Sequence, residues 1–112
     1  MATVEECQTA LEQFAANLAA NPKSVRKLTG FERTLACDIT DLGTTFHGRF
    51  EGGKLVDITE GDEPDAQIRM IVSSDNLVKL VAGDLDFMKA FTGGQVKLKA
   101  NMMDMMKLRG VL

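Results

Sequence analysis

The chain of 112 residues contains no tryptophan, no tyrosine and only one histidine. A single histidine without a paired partner makes no acid–base system, and the tyrosine that often serves as oxyanion donor in small steroid isomerases is missing. His47 also falls on the polar side of a predicted strand, which favours a solvated side chain. We therefore expect no catalytic residue, no cofactor and no metal site. An enzyme acting on a lipid, the rival hypothesis, would depend on His47 or Cys37.

Cysteine is also scarce, since only Cys7 and Cys37 are present. Two cysteines are too few for a disulfide framework or a metal site, and both fall on apolar faces, so free buried thiols are expected. No apolar run approaches the roughly 20 residues of a membrane span, and no basic-then-apolar leader opens the chain. The sequence thus predicts a cytoplasmic protein without stable membrane insertion.

Positive charge is not in excess, because the net charge is −3 and no dense Lys/Arg stripe is visible. Nucleic acid is therefore not an expected partner, and neither is an anionic membrane bound by charge alone. The 45% hydrophobic and 26% charged residues are typical of a globular protein. The length suits one domain, residues 1–112.

Hydrophobic periodicity and end signals predict four helices and five strands in the order α-βββ-β-αα-β-α. The first helix starts at a capping box, Thr3 with Glu6, and ends at Asn21-Pro22. The elements predicted after it are a linker at 23–30, strands at 34–39, 45–50, 55–58 and 66–72, a short helix after SSDN that ends at Gly83, a second one capped by Asp84, a strand at 95–100 and a terminal helix capped by Asn101 and Asp104. The order is typical of an α+β fold with one sheet and one helical layer.

The terminal segment NMMDMMKLRGVL is unusually rich in methionine. At about 100° per residue, its apolar side chains fall on one arc, with Asp104 and Lys107 on the far side. The residues on that arc are Met102, Met105, Met106, Leu108 and Leu112. Arg109 projects near the middle of the arc, where it could snorkel to water or meet an anionic head group.

Methionine is flexible and polarizable, so it fits partners of varying shape, whereas a uniquely packed core is better specified by Leu, Ile and Val. The terminal helix and the preceding one, which bears Phe87, Met88 and Phe91, are therefore predicted to roof an apolar cavity over the sheet. The predicted ligand-binding residues are Ile68, Met70, Leu77, Leu80, Val81, Phe87, Phe91, Met102, Met105, Met106 and, more weakly, Arg109. The alternative is a protein-interaction or accessory module with a filled interior, in which the Met-rich helix is a docking surface.

The segment AQIRMIVSSDNLVKLVAGDLDFMKAFTGGQVKLKANMMDMMKL resembles the C-terminal half of the sterol carrier protein (sterol-binding) domain family, of the non-specific lipid-transfer type. The stretch FHGRFEGGKLVDI is similar to the second and third strands of that family. The positions that match the family pattern are Ala66, Ile68, Gly83, Asp84, Met88, Lys89, Ala90, Phe91, Gly94, Lys97 and Lys99.

This resemblance implies a single five-stranded sheet, mixed but mostly antiparallel, that is covered by helices. It also implies a crossover between the third and fourth strands, which residues 59–65 could span. An internal hydrophobic tunnel would accept sterols, fatty acids or fatty acyl-CoA. The implied function is non-catalytic binding and transfer of such ligands, and a separate lipid-metabolising enzyme is a candidate partner.

Overall fold

The computed structural model describes residues 1–111, which form five helices and five strands. In chain order, the elements are α1 (Val4–Ala20), α2 (Pro22–Leu28), β1 (Arg33–Ile39), β2 (Thr44–Glu51), β3 (Lys54–Glu60), β4 (Ile68–Val72), α3 (Ser74–Ala82), α4 (Phe87–Thr92), β5 (Val96–Lys99) and α5 (Met102–Arg109). Among the described residues, no helix combines the length and the apolar character needed to cross a bilayer.

The five strands form one sheet in the order β3-β2-β1-β4-β5. β1 and β4 are parallel, and the other three neighbouring pairs are antiparallel. Between β3 and β4, residues 61–67 carry the chain past β2 and β1, which is the crossover that the resemblance implied. The predicted fold class, a mixed and mostly antiparallel sheet with helices, is confirmed.

The N-terminal helix begins where the capping box predicted it. The Thr3 side chain accepts from the Glu6 amide, and the Glu6 carboxylate accepts from the Thr3 amide. The linker predicted after Pro22 is wrong, because this segment forms α2. Asn21 caps α2 by accepting from the Lys23 amide, and proline suits the first helical position because its missing N–H would have no partner there.

The helices after β4 differ from the prediction at one end only. α3 ends as expected at Gly83, which adopts the left-handed conformation (φ 84°) that glycine tolerates best. The cap predicted at Asp84 is wrong, since α4 begins at Phe87 and its cap is Asp86, which accepts from the Lys89 amide. Asp84 and Leu85 instead continue the turn after Gly83, where both amides donate to the Lys79 carbonyl.

One face of the sheet is apolar and packs into two clusters of buried side chains. The first cluster contains Cys7, Ala10, Leu11, Cys37, Ile39, Phe46, Val72, Leu77, Ala90 and Val96. The second contains Leu18, Leu28, Phe31, Leu35, Phe50, Leu55, Ile68 and Leu108. Both cysteines are free and buried, as the sequence predicted.

The opposite face of the sheet is polar, and both edges of the sheet carry charge. Arg69 on β4 donates to Asp38 at 2.7 Å and to Asp62 at 3.0 Å. At one edge, the short strand β5 exposes Lys97 and Lys99. At the other edge, β3 pairs irregularly with β2, and Asp57 lies in the left-handed region at φ 58°.

Candidate functional site

An open cleft of about 420 Å³ lies on the helical side of the sheet, between α1 and the α3–α4 segment. Its apolar lining residues are Phe14, Leu18, Met70, Leu77, Leu80, Val81, Leu85, Phe87 and Val111. Leu77 belongs to the first core cluster and Leu18 to the second, so the cleft borders both. Most of the other lining side chains are only half-buried, which leaves apolar surface available to a guest molecule.

The polar residues of the cleft are Asn17, Asn21, Ser24 and Asp86. Two of them already cap helices, since Asn21 accepts from the Lys23 amide and Asp86 from the Lys89 amide. A lining that is mainly apolar but carries four polar side chains suits a hydrophobic small molecule with a polar group.

The cleft wall formed by α3 is held by a polar anchor at its first residue. The Ser74 hydroxyl is fully buried, donates to Asp41 Oδ2 at 2.6 Å and accepts from the Ala2 amide at 3.0 Å. The Ser74 amide also donates to Asp41 Oδ1. These hydrogen bonds from Ser74 hold the pKa of the Asp41 carboxyl below its ordinary value. The anchor therefore joins the start of α3 to the β1–β2 turn and to the N-terminus.

The structure brings together five of the residues predicted to bind a ligand. They are Met70, Leu77, Leu80, Val81 and Phe87. Ile68 is fully buried in the second cluster and does not reach the cleft surface. Phe91 stacks on Phe87 with ring centroids 6.2 Å apart and is not part of the lining. The predicted ligand-binding residues that line the cleft therefore all lie on the wall formed by β4, α3 and α4.

The predicted orientation of α5 is wrong. Met102 and Met106 point to solvent with 75% and 64% of their surface exposed, and neither lines the cleft. Met105 is half-buried and Arg109 is exposed, and these two also lie outside the lining. The buried side chains of α5 are Asp104 and Leu108. Leu112, assigned to the same arc, lies outside the described residues.

A partly buried ion pair, in which only the Asp104 side is fully covered, sets this orientation. Asp104 accepts from Arg33 Nε at 2.8 Å, and its own backbone amide donates to the side chain of the N-cap, Asn101. The Arg33 guanidinium also lies over the Phe31 ring, 5.1 Å from its centroid. Because its carboxylate is paired, Asp104 can face the protein beside Leu108, and the methionines are turned outward.

Four apolar lining residues were not among those predicted from the sequence. Phe14 and Leu18 lie one helical turn apart on the apolar face of α1, and Leu85 and Val111 lie in short segments outside helices. The apolar face of α1 was visible in the sequence. Which of its residues border a cleft and which fill the core depends on where α2 and α3 pack.

The groups with potential reactivity lie away from the cleft. Burial raises the pKa of the Cys37 thiol to about 12, and burial together with nearby carboxylates raises the pKa of Cys7. His47 is half-buried and its Nδ1 donates to the Gly61 carbonyl at 2.9 Å, so it is less solvated than its strand position predicted. Residues 1–111 contain no cluster of three or more His, Cys, Asp or Glu side chains suited to a metal ion.

Comparison with models of protein families identifies the family of this chain. The model of the SCP-2 sterol transfer family matches residues 10–112, which is nearly the whole chain. The chain belongs to the SCP-2 sterol transfer family. No curated protein matches it in sequence.

Solved structures of the SCP-2 fold agree with this membership. The crystal structure of sterol carrier protein 2 like 2 from Aedes aegypti has a TM-score of 0.72 and 16% identity, covering 96% of this chain and 97% of that one. The solution structure of the palmitated form of that protein has a TM-score of 0.70 and 18% identity, covering 98% and 94%. At these identities the likeness shows the SCP-2 fold alone.

An enzyme contains a similar unit. The stereoselective inverting sec-alkylsulfatase Pisa1 from Pseudomonas sp. matches with a TM-score of 0.61 and 25% identity. The match covers 79% of this SCP-2 family chain but only 14% of the sulfatase. The likeness therefore concerns one part of that enzyme.

Proposed function

We propose that the chain is a non-catalytic carrier that binds sterols, fatty acids or fatty acyl-CoA in the cleft between α1 and the α3–α4 segment. The observation that carries the proposal is the cleft of about 420 Å³ with a largely apolar lining. Pockets for small molecules hold roughly 300–1,000 Å³, so the volume suits one such ligand.

Partition of the ligand from water is the proposed binding mechanism. An acyl chain or sterol ring that enters the cleft gains about 0.8 kcal/mol per buried methylene group. Leu80, Val81 and Phe87 would contact this apolar part, because they are half-buried and line the cleft. The polar side chains of Asn17 and Asn21 would lie near the head group.

Two further observations support this function. The family is described as one of sterol transfer, and a palmitated form of an Aedes aegypti relative is known. Cys7 and Cys37 are unpaired thiols, which agrees with action in the cytoplasm, where thiols stay reduced. A separate lipid-metabolising enzyme is the proposed recipient or donor of the ligand.

The alternative function is an interaction module that uses α5 and binds no lipid. It is favoured by one observation, the solvent exposure of Met102, Met103 and Met106. The two functions predict that different residues are sensitive to substitution. For the carrier these residues line the cleft, and for the interaction module they lie on the outer face of α5.

The test is a displacement titration with a fluorescent fatty acid on three proteins: wild type, Leu80→Glu and Met106→Glu. Leu80→Glu is expected to weaken binding at least about tenfold, because a carboxylate in an apolar lining is poorly compensated. Met106→Glu is the matched control, with the same charge added on an exposed helical position. It should bind as tightly as wild type.

The outcomes separate the hypotheses. Loss of affinity in Met106→Glu alone would return the binding site to α5, as the sequence first predicted. A wild type that binds neither fatty acid nor sterol would leave the carrier function without support. Thermal melts of all three proteins show whether a lost affinity reflects lost folding.

A further inference from the structure

The outer face of α5 is the largest concentration of exposed apolar side chains in the described chain. Met102, Met103 and Met106 have 75%, 77% and 64% of their surface exposed. Within residues 1–111, the only other large hydrophobic side chain with comparable exposure is Met1. These three methionines have no packing role in the clusters described above.

Cations flank this stripe on both sides. At about 100° per residue the three methionines cover an arc of about 100°, with Arg109 about 20° beyond one border and Lys107 about 40° beyond the other. The only acidic residue of α5 is Asp104, which is buried and paired with Arg33. The outer face of α5 therefore presents apolar and positive groups with no carboxylate among them.

The neighbouring helix α2 extends the positive charge. It carries three exposed cations, Lys23, Arg26 and Lys27, and no acidic residue. The Lys27 ammonium donates to the Gly110 carbonyl at 2.8 Å, which joins α2 to the end of α5. We call the three methionines together with these three cations, Lys107 and Arg109 the basic methionine face. It stands out in a protein whose net charge is −3.

The basic methionine face adjoins the cleft. Val111, just after α5, and Ser24 in α2 both line the cleft. Met106 precedes Val111 by five residues, about 7.5 Å along a helix axis at 1.5 Å per residue. A surface bound to this face would therefore lie close to the cleft.

We propose that the basic methionine face docks on the surface of an anionic lipid bilayer. Flexible methionine side chains enter the boundary between head groups and acyl chains, while the flanking Lys and Arg side chains meet lipid phosphates. Each cation near such a surface contributes about a fivefold gain in affinity. α5, with eight residues, lies in the interface and does not cross the bilayer.

A bilayer fits this face better than a protein does. The face is one convex, eight-residue helix beside another short helix, and a fluid interface can adapt to such a shape. A second copy of the chain would need to bury about 800 Å² per partner, more than three methionine side chains offer. A second copy would also oppose like charges.

The biological purpose of this docking rests on the proposed carrier function, since it brings the cleft to a source of lipid. The two can fail separately. Leu80→Glu is expected to lose fatty-acid affinity and to retain vesicle binding. Met102→Gln/Met103→Gln/Met106→Gln is expected to do the reverse, because glutamine keeps the length and helix propensity of methionine but is polar.

The experiment is co-sedimentation with vesicles of phosphatidylcholine alone or of equal parts phosphatidylcholine and phosphatidylglycerol. Wild type should bind the mixed vesicles and release them at high salt, since salt screens the cations. The triple glutamine variant should lose about tenfold or more in partition, whereas Met102→Leu/Met103→Leu/Met106→Leu should keep wild-type binding. Lys107→Gln/Arg109→Gln should also lose about tenfold or more, on the mixed vesicles only.

The matched control is Lys79→Gln/Lys97→Gln, which removes the same charge from exposed positions outside α2 and α5. Its binding should stay close to wild type. Equal losses of vesicle binding in Lys107→Gln/Arg109→Gln and in this control would mean that net charge, and not this face, drives binding. That result would overturn the proposal. The proposal is likewise overturned if the wild-type protein does not bind the mixed vesicles. It is also overturned if sedimentation velocity shows that the wild-type protein instead self-associates through the methionines.

Discussion

Helices α3 and α5 are built alike but present their apolar side chains in opposite directions. Each begins after a side-chain N-cap, Ser73 or Asn101, and each buries one polar residue that fastens it to the rest of the protein. In α3 the buried polar residue, Ser74, lies within the apolar arc, so Leu77 and Val81 turn inward with it. In α5 the buried polar residue is Asp104, on the side opposite Met106.

The comparison shows that one paired polar group can decide which face of a short helix is buried. Hydrophobicity alone would have turned the methionines of α5 inward, as it turned Leu77 of α3. The paired carboxylate of Asp104 and the single leucine beside it, Leu108, outweigh them. Four predictions break or sharpen this comparison, and they follow from the largest expected effect to the smallest.

Loss of the α5 anchor should have the largest effect. Asp104→Ala is expected to lower the free energy of unfolding by up to about 3 kcal/mol, because the mostly buried Arg33 side chain loses the carboxylate that pairs its charge. Urea denaturation measures the change. The control is Glu51→Ala, which removes an exposed partner of Arg49 and should change stability by less than about 1 kcal/mol. Equal effects would show that the Asp104 pair is no stronger than a surface pair.

Loss of the α3 anchor should cost less. Ser74→Ala is expected to lower the free energy of unfolding by about 2 kcal/mol, since the Ala2 amide loses its acceptor while the exposed Asp41 can turn to water. The same urea titration measures it. Amide exchange at the start of α3 should rise together with this loss, and an unchanged exchange rate there would contradict the anchoring role.

The two N-caps allow a finer comparison. Asn101→Ala and Ser73→Ala should each lower the free energy of unfolding by about 1 kcal/mol. The effect should be larger at Asn101, whose side chain accepts at 2.8 Å, than at Ser73, where the distance is 3.3 Å. A larger loss at Ser73 in urea denaturation would contradict this order.

The smallest expected effect is the pH dependence of stability that Asp41 contributes, because this carboxyl is exposed. Its pKa is lowered by Ser74 in the folded protein, so the unfolded state binds more protons as acid is added. The stability that the pair contributes is thus complete above about pH 4, the ordinary pKa of aspartate, and is lost as the pH falls through the lowered value. Asp41→Asn should flatten the acid side of a plot of unfolding free energy against pH. A plot of unchanged slope would exclude Asp41 as a source of acid sensitivity.

The elements predictable from sequence are those whose signals are local. The capping box at Thr3, the strand at 34–39 and the glycine stop at Gly83 each depend on signals within a few residues, and all three are confirmed. α2 was missed because its seven residues, three of them cationic, show little hydrophobic periodicity. Its start signal at Asn21-Pro22 marks both the end of one helix and the start of the next.

The part of the candidate site that could not be predicted depends on distant partners. The α3 wall was found because its polar anchor and its apolar arc coincide. The orientation of α5 was not, because it depends on Arg33, which lies 71 residues before Asp104 in the chain. Nothing in the local pattern of NMMDMMKLRGVL indicates that its one side-chain carboxylate pairs with a distant arginine.

The charged borders of the sheet bear on how the protein avoids aggregation at high concentration. A strand at the end of a sheet offers unpaired amides and carbonyls to any similar strand. Lys97 and Lys99 project from the four-residue strand β5, and Asp57 breaks the regular path of β3. A second molecule that tried to add a strand beside β5 would meet charge repulsion. Beside β3 its strand would align poorly. The protein can therefore leave apolar surface exposed, as in the cleft and on α5, without growing into fibrils.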